Sequence, residues 1–359
     1  MDQQWMDQPG NVRPGEELDE AGLKRFLSGY LPEWDHESLT IRQFPGGFSN
    51  LTYLISAGTR QAVLRRPPFG ANIKSAHDMG REFRILSLLE PVYSKIPKVI
   101  AFSDDPGYIG APFYLMEKVE GVILRGGMPR EMTPAPATMA GIAHALVENL
   151  AALHKLPLKG GELESLGKPD GYAGRQVSGW GKRYFAAKTD EIPALENAIR
   201  WLSDHIPAHS AAALIHNDYK YDNLVLDPGD WTKIRAVLDW EMATVGDPLM
   251  DLGTTLGYWS TAGDPPALLA LQFNPSTLPG NPSRSELISL YEKASSKPVD
   301  DPVFYYVFGL FKIAVIAQQI YARFKQGFTK DPRFGGLIHA VRACGDMAEE
   351  AIRAGEVKG

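Results

Sequence analysis

The sequence predicts an α+β fold of two lobes, a small lobe built on an antiparallel β-sheet and a larger, mainly helical lobe. The first third of the chain carries short apolar runs separated by turn residues, which is typical of strands. From about residue 119 the apolar residues recur at helical spacing. The 359 residues, of which 44% are hydrophobic, are enough for two cores. We therefore predict a flexible tail at 1–15, the small lobe at 16–118 and the larger lobe at 119–359.

The small lobe begins with a helix over 17–31, and strands follow that start near Leu39, Leu51 and Gln61. Between the first two strands stands a glycine pair, which lets backbone N–H groups come close to an anion. An ordinary hairpin turn explains the same glycines, so the residues alone leave both interpretations open.

The third strand and the helix after it predict a buried ion pair. This helix starts at Ser75, and Glu82 lies beside its buried Phe83, so the carboxylate points toward the buried side. A carboxylate in that position needs a cation, and Arg65 at the end of the third strand is the natural partner. Because side chains alternate along a strand, Arg66 points the other way and is expected to be a surface charge.

The larger lobe carries the motif with the most chemical content, H-x-D-x-x-x-x-N, at His216, Asp218 and Asn223. Phosphoryl transfer requires a carboxylate that orients an attacking hydroxyl and accepts its proton, and Asp218 suits this role. His216 is the second catalytic candidate, and we expect it to hold the loop by hydrogen bonds.

A predicted hairpin links this motif to a second carboxylate. Two apolar runs flank a D-P-G-D turn between Asn223 and Asp239, which indicates two antiparallel strands that bring these residues close together. Both side chains offer oxygen ligands for Mg²⁺. A zinc site on His216 and Asp218 is a weaker alternative, because no second His stands at ligand spacing and Cys344 is the only cysteine.

Three segments of the chain resemble the aminoglycoside phosphotransferase and choline kinase group of protein-kinase-like enzymes. They are HNDYKYDN at 216–223, LDWE at 238–241 and G-D-P at 246–248. The resemblance extends from about Phe44 to Phe328. It implies a bilobal protein-kinase-like fold and an ATP- and Mg²⁺-dependent phosphotransferase that acts on a hydroxyl of a small molecule. In this group the D-W-E segment replaces the D-F-G of protein kinases, and Asp251 is expected to brace the catalytic loop.

The resemblance also assigns nucleotide contacts in and after the small lobe. These residues are Gly46, Gly47, Ser49, Asn50, Arg65, Glu82, Met116, Glu117 and Val119. Arg65 stands where protein kinases have lysine, a departure that choline kinase relatives share, and arginine can bind phosphate with two donors. Residues 113–121 resemble a kinase hinge, with Met116 behind the adenine and the backbone of Glu117 and Val119 at its edge. A plain strand and turn explains the hinge residues as well.

A narrower resemblance concerns the phosphate acceptor. V-L-R-R-P-P at 63–68 and the aromatic run at 304–323 are similar to kinase-like domains found with acyl-CoA dehydrogenases of the family member 10 and 11 type. This implies a hydroxyacyl-CoA or a hydroxy acid as acceptor, and Lys312, Arg323 and Lys325 are expected to form a basic helix face for it. Residues 251–359 hold eleven Asp/Glu and eleven Lys/Arg, so they lack the acidic surplus that suits polycationic aminoglycosides. The alternatives are an aminoglycoside O-phosphotransferase and a nucleotide-binding pseudokinase without turnover.

Composition narrows the range of partners. The net charge is −6, so no basic field favours nucleic acid. A single cysteine suits a reducing cytoplasm, and the polar, acidic start of the chain does not look like a signal peptide. The apolar run at 303–317 is interrupted by Lys312 and is too short to span a bilayer. We expect a cytoplasmic protein with a small-molecule substrate and without nucleic-acid or membrane partners; the sequence leaves the oligomeric state open.

Overall fold

The computed structural model describes residues 8–45, 50–69, 78–126, 133–158, 160–208, 211–328 and 331–359. The chain divides into two compact units. We call Met1–Ile123 together with Leu224–Met242 the sheet unit, and Leu124–Asn223 together with Ala243–Gly359 the helical unit. The predicted α+β class is confirmed, since an antiparallel sheet and many helices are both present.

The sheet unit contains a five-stranded antiparallel sheet. Its strands are β1 (Thr40–Gln43), β2 (Leu51–Ala57), β3 (Arg60–Arg66), β4 (Val99–Ser103) and β5 (Phe113–Met116). They lie in the order β1-β2-β3-β5-β4, which makes β3 the central strand. Arg65 pairs with Thr52 of β2 on one side and with Tyr114 of β5 on the other. The end of β3 is therefore held in the middle of the sheet.

Three helices belong to the sheet unit among its described residues: α1 (Glu20–Tyr30), α2 (Met79–Leu89) and α3 (Pro106–Ile109). The apolar core joins α1 to the sheet through Leu23, Phe26, Leu27, Tyr53, Ile55 and Leu64. Helix α2 begins after Asp78, whose carboxylate accepts a hydrogen bond from the third helical N–H at 2.9 Å. The sequence predicts the start of this helix at Ser75, which lies outside the described residues.

Residues 8–15 are bonded to the sheet, where the sequence predicts a flexible tail over 1–15. Gly10 and Gln43 exchange two backbone hydrogen bonds of 2.8 and 3.0 Å. The Arg13 N–H donates to the side-chain oxygen of Gln43 at 2.8 Å. These bonds form because β1 is an edge strand whose backbone groups can pair with a neighbouring segment. The flexibility of the tail stays a prediction. Residues 1–7 lie outside the described part of the chain.

The predicted hairpin is present as β7 (Leu224–Asp227) and β8 (Asp230–Val237), which pair antiparallel. It belongs to the sheet unit, whereas the sequence places it in the larger lobe at 119–359. The physical reason is backbone bonding, since Val122 and Leu226 exchange two hydrogen bonds of 2.8 and 2.9 Å. These bonds tie the hairpin to the end of the first chain segment.

The helical unit contains eight helices and a two-stranded sheet within its described residues. The helices are α4 (Pro136–His154), α5 (Tyr172–Ala187), α6 (Pro193–Asp204), α7 (Pro248–Tyr258), α8 (Pro266–Leu269), α9 (Arg284–Ser295), α10 (Pro302–Lys325) and α11 (Leu337–Ala354). The strands β6 (Ala213–Ile215) and β9 (Thr244–Gly246) pair antiparallel. The H-x-D motif therefore begins directly after β6, and Asp251 lies in the first turn of α7.

Helix α10 is the centre of the helical unit and packs against α5, α6, α7 and α11. Its crossing with α7 is close, because a Cβ atom at Gly309 would lie 2.0 Å from the carbonyl oxygen of Gly253. By length and composition α10 could cross a membrane, but 83% of its most apolar window is buried inside the fold. Such burial is the pattern of a core helix.

Candidate active site

The sheet unit holds a cluster of one cation and two carboxylates, formed by Arg65, Glu82 and Asp239. Nη1 of Arg65 donates to Oε1 of Glu82 at 2.7 Å, and Nη2 donates to Oδ1 of Asp239 at 2.9 Å. The predicted Arg65–Glu82 pair is confirmed. Glu82 is 1% exposed, whereas the side chain of Asp239 is 29% exposed. Asp239 is therefore the carboxylate of this cluster that solvent reaches.

Charges within this cluster shift the pKa values of Arg65 and Glu82. Burial alone lowers the pKa of Arg65, but Glu82 and Asp239 outweigh burial and the pKa lies well above its ordinary value. Burial raises the pKa of Glu82, and Arg65 only partly offsets that rise. Arg65 thus bonds to both carboxylates, and each of them raises its pKa.

Helix α2 fixes the chain that follows β8. The backbone N–H of Trp240 donates to Oε1 of Glu82 at 3.2 Å, and Arg81 donates to the carbonyl of Glu241 at 2.6 Å. Asp239 has a φ of +66°, a left-handed conformation that Asp and Asn tolerate better than most residues. The carboxylate of Asp239 is therefore presented from a backbone that is held by hydrogen bonds at the two residues after it.

Asn50 contacts the same segment. It is 1% exposed, and its Nδ2 donates to Oε2 of Glu241 at 2.5 Å. The family resemblance assigns Asn50 to the loop over the nucleotide, and the observed bond links its side chain to the carboxylate of Glu241. The other predicted residues of that loop, Gly46, Gly47 and Ser49, lie outside the described residues.

Arg66 is buried, where the sequence predicts a surface charge. It is 3% exposed and donates to the carbonyls of Pro67 at 3.0 Å and Ile109 at 3.1 Å. Its guanidinium lies 3.7 Å from the ring centroid of Phe69. The prediction is wrong because the neighbouring Pro67 carbonyl, the Phe69 ring and the distant Ile109 carbonyl together satisfy this buried cation, and the strand pattern predicts none of these contacts. Arg65 and Arg66 have separate partners, as strand alternation predicts.

The predicted hinge residues follow directly from β5. Met116 is 7% exposed, and the N–H of Glu117 donates to the carbonyl of Lys98 at 2.7 Å. That N–H continues the pairing of the sheet and is not available to an adenine. The carbonyl of Glu117 and the backbone of Val119 remain as candidates to hydrogen-bond the edge of an adenine.

In the helical unit, Asp251 holds the loop that carries the H-x-D motif. Its carboxylate accepts the backbone N–H of His216 at 2.6 Å and of Asn217 at 2.7 Å. Nε2 of His154 lies 3.2 Å from the same carboxylate, and Nδ1 lies 2.7 Å from the Tyr291 hydroxyl. Burial alone raises the pKa of Asp251, but His154 and His216 outweigh burial and leave the pKa below its ordinary value. The predicted bracing role of Asp251 is confirmed.

Asp218 lies between an ammonium group and an amide. Nζ of Lys220 is 2.6 Å from Oδ2 of Asp218, and Nδ2 of Asn223 donates to the same oxygen at 3.0 Å. Nδ2 of Asn223 also donates to the Asp218 carbonyl at 2.8 Å, so Oδ1 is the atom of Asn223 that suits a metal. His216 is fully buried and its Nδ1 accepts the Asp218 N–H at 3.3 Å. This bond fits the predicted role of His216 in holding the loop.

Lys220 is a candidate that the sequence analysis missed. Its side chain is 13% exposed and also lies 3.5 Å from Asp222 and 5.0 Å from the Tyr258 ring centroid. Burial alone lowers the pKa of Lys220, but Asp218 and Asp222 outweigh burial and raise it above its ordinary value. The available signal was a lysine two residues after the candidate base.

The expected basic helix face is not formed as predicted, because Lys312 is buried. It is 2% exposed, and its Nζ donates to the carbonyl of Asn217, whereas Arg323 and Lys325 are exposed. Eleven residues return a helix to the same side, but roughly 16 Å further along its axis. Lys312 therefore lies in the core, and Arg323 lies near the exposed end of α10.

The buried ion pair leads to a stability prediction. Glu82→Gln is expected to lower the free energy of unfolding by about 3 kcal/mol, because it leaves the buried Arg65 short of a charged partner. Urea denaturation measures this change. Glu120→Gln is the matched control, since Glu120 pairs with Lys118 at the surface and should change stability by less than about 1 kcal/mol. Equal stability losses in the two variants would contradict the buried role of Glu82.

The fold and these loops define a kinase-like protein, and solved structures agree. A Ralstonia eutropha protein assigned as an aminoglycoside phosphotransferase has a TM-score of 0.77 at 28% identity, covering 94% of this chain and 99% of that one. Choline kinase from Cryptosporidium parvum has a TM-score of 0.62 at 13% identity, covering 94% and 97%. Aminoglycoside phosphotransferase APH(4)-Ia, in a complex with AMP-PNP and hygromycin B, has a TM-score of 0.56 at 14% identity, covering 90% and 98%. The predicted protein-kinase-like fold is confirmed.

The chain belongs to the phosphotransferase enzyme family (APH), whose sequence profile matches residues 40–287. It is 35% identical to acyl-CoA dehydrogenase family member 10 from Mus musculus, over 87% of this chain and 29% of that protein. It is 34% identical to family member 11 from Homo sapiens, over 88% of this chain and 41% of that protein. The chain thus spans less than half the length of these curated relatives. The resemblance predicted from the motifs is confirmed.

Proposed function

We propose that this protein is an ATP- and Mg²⁺-dependent phosphotransferase whose acceptor is a hydroxyl of a small molecule. The observation that carries the proposal is the fixed position of the Asp218 carboxylate. Its Oδ2 accepts hydrogen bonds from Nζ of Lys220 at 2.6 Å and from Nδ2 of Asn223 at 3.0 Å. The loop backbone is in turn bonded to the buried Asp251. A carboxylate fixed in this way can orient a hydroxyl group and accept its proton. Membership in the phosphotransferase family supports the same reaction class.

Two cations complete the proposed chemistry. Phosphoryl transfer depends mainly on positioning and on the stabilisation of negative charge. Lys220 offsets the charge of Asp218 on the acceptor side. Arg65 uses two of its five donors on Glu82 and Asp239, and we assign its remaining donors to nucleotide phosphates.

Asn223 and Asp239 fit Mg²⁺ by the chemistry of their donors. Both offer oxygen atoms, the ligands that Mg²⁺ prefers, and Asp239 is a partly exposed carboxylate. Within the described ranges, no group of three or more His, Cys, Asp or Glu side chains is arranged to hold a metal. Mg²⁺ usually takes one or two protein ligands, and phosphates and water complete its shell, so two oxygen ligands are enough for the proposal. When bound, Mg²⁺ would neutralise phosphate charge.

The nucleotide assignment rests on the hinge and on the structural neighbours. Met116 offers a buried apolar surface, and the Glu117 carbonyl and the Val119 backbone can recognise the edge of a base. Structures of APH(4)-Ia contain AMP-PNP or ADP. We therefore propose ATP as the phosphate donor of this protein.

For the acceptor we propose a hydroxyacyl-CoA or a hydroxy acid. The support is the similarity to acyl-CoA dehydrogenase family members 10 and 11, whose names place them in acyl-CoA chemistry. The equal numbers of acidic and basic residues in 251–359 agree, because a polycation would need an acidic surplus. The buried Lys312 adds nothing to this argument, since it does not lie on an exposed basic face.

An aminoglycoside O-phosphotransferase is the second candidate, and the Ralstonia eutropha structure at 28% identity is the observation in its favour. A pseudokinase without turnover is the third candidate. It is disfavoured because Asp218, Asn223 and Asp239 are all present.

An acceptor panel tests these candidates. With ATP and Mg²⁺, hydroxyacyl-CoA thioesters and free hydroxy acids should be converted to phosphate esters, seen by ³¹P NMR together with ADP formation. The matched acyl-CoA without a hydroxyl group should give no ester, because the reaction needs an oxygen nucleophile. Kanamycin should be phosphorylated at less than about 1% of the best rate, as expected when its charges find no partners.

The possible outcomes separate the proposals. Rapid phosphorylation of kanamycin with no ester from the acyl compounds would overturn the acceptor but keep the phosphotransferase. Binding of MgATP with no product from any acceptor would favour the pseudokinase. Activity that persists in excess EDTA would contradict the role of the metal.

A further inference from the structure

We propose that Lys312 is a positioning residue that fixes Asp218 by holding the carbonyl group of the residue before it. The inference rests on the proposed function, in which Asp218 acts on the acceptor hydroxyl. Lys312 comes from the middle of α10, and its Nζ donates to the carbonyl of Asn217. Asn217 directly precedes Asp218, so this bond acts on the peptide group that sets the direction of the Asp218 side chain.

Asn217 is a strained residue that is held at three points. Its φ is +66°, in the left-handed region that non-glycine residues rarely occupy. Its N–H donates to Asp251 at 2.7 Å, and its side-chain amide lies 3.0 Å from the Tyr172 hydroxyl. Lys312 supplies the third bond, to the carbonyl. A strained conformation persists only where the surroundings over-determine it, and these three bonds do so.

The chemistry of Lys312 argues against a purely structural role. The ammonium group is buried and bonds to a neutral carbonyl rather than a carboxylate, which is an unfavourable way to fill a core position. Burial lowers its pKa to about 8; Lys220 and Arg183 act in the same direction, while Asp218 and Asp251 oppose it. A methionine would fill the same space without the desolvation of a charge. The N–H donor to the loop is what a methionine cannot supply.

The test compares Lys312→Met with Lys325→Met, the same change at an exposed position of the same helix. In Lys312→Met, amide hydrogen exchange in residues 213–223 should become about tenfold faster, as expected for one lost buried hydrogen bond. Exchange in α11 should stay the same, and the Tm should be unchanged or higher. The Lys325→Met protein should exchange like the wild type. This measurement does not depend on an acceptor, so it can succeed even if the proposed function fails.

Kinetics supplies the second measurement, with the best acceptor of the panel. In Lys312→Met, kcat should fall by about 10–100-fold, because a small misplacement of a catalytic group has effects of that size. The KM for ATP should stay within about twofold, since ground-state binding of the nucleotide is untouched. Lys312→Gln keeps an N–H donor without the charge and should recover most of kcat. If Lys312→Met does not fold, Lys312→Leu, which also lacks an N–H donor, takes its place as the test variant.

Two results would overturn the proposal. One is unchanged exchange of residues 213–223 in folded Lys312→Met. The other is a fall in kcat that is matched by an equal fall in the folded fraction, which is the signature of a merely structural role.

Discussion

Asp218→Asn is expected to lower kcat by about 10²–10⁴-fold while MgATP still binds. The amide has nearly the same shape as the carboxylate but cannot accept the proton of the hydroxyl. It also removes the charge that faces Lys220 at 2.6 Å. Initial rates with the best acceptor measure the loss, and calorimetry with MgATP shows whether binding is retained.

Asp222→Asn is the matched control for this change. Asp222 lies on the same loop and 3.5 Å from the same Lys220, so this variant weakens the pairing of Lys220 without touching Asp218. Its rate should stay within about threefold of the wild type, because the contact is long and partly exposed. A rate for Asp218→Asn as high as that of Asp222→Asn would exclude Asp218 as the base.

Asp239→Asn is expected to weaken binding of MgATP by roughly 100-fold, because it removes the charge that the metal needs. Asparagine is chosen since it tolerates the φ of +66° at this position. Alanine would add about 1 kcal/mol of backbone strain and confuse the result. Asn223→Ala should have a smaller effect, because Asn223 contributes a neutral oxygen. Calorimetry with MgATP measures all three proteins.

The control is the same titration with ATP in EDTA, where wild type and Asp239→Asn should bind with similar affinity. Asp230→Asn makes the same change at the other end of β8 and should behave as wild type, since the described partners of the Asp230 side chain are the nearby Thr232 and Lys233. If Asp239→Asn binds MgATP as tightly as the wild type does, the assignment of Asp239 to the metal is wrong.

Local patterns in the sequence predicted much of the candidate site. Strand alternation separated Arg65 from Arg66, and helical spacing turned Glu82 toward the buried side, where the two side chains meet at 2.7 Å. The D-P-G-D turn predicted the hairpin of β7 and β8. These features depend on residues only a few positions apart, so the periodicities of strands, helices and turns are enough to find them.

Partners that come from distant parts of the chain could not be found in this way. Asn50 bonds to Glu241, 191 residues away, and Arg66 bonds to the carbonyl of Ile109, 43 residues away. Backbone atoms carry no residue identity, so an acceptor such as the Ile109 carbonyl leaves no trace in the sequence. The pairing of residues 8–15 with β1 was missed for the same reason.

By itself, the sequence predicted a phosphotransferase and named Asp218, Asn223 and Asp239 as candidate catalytic and metal-binding residues, because they stand in one short segment at a spacing that suits this reaction. Only the tertiary structure decided what holds them. Within the sheet unit, the hairpin is bonded to Val122. In the helical unit, Lys312 donates to the carbonyl of Asn217, which lies 95 residues earlier in the chain. The physical reason is that a buried charge or backbone group is satisfied by whichever group the packed fold brings near, and that choice is made in space and not along the chain.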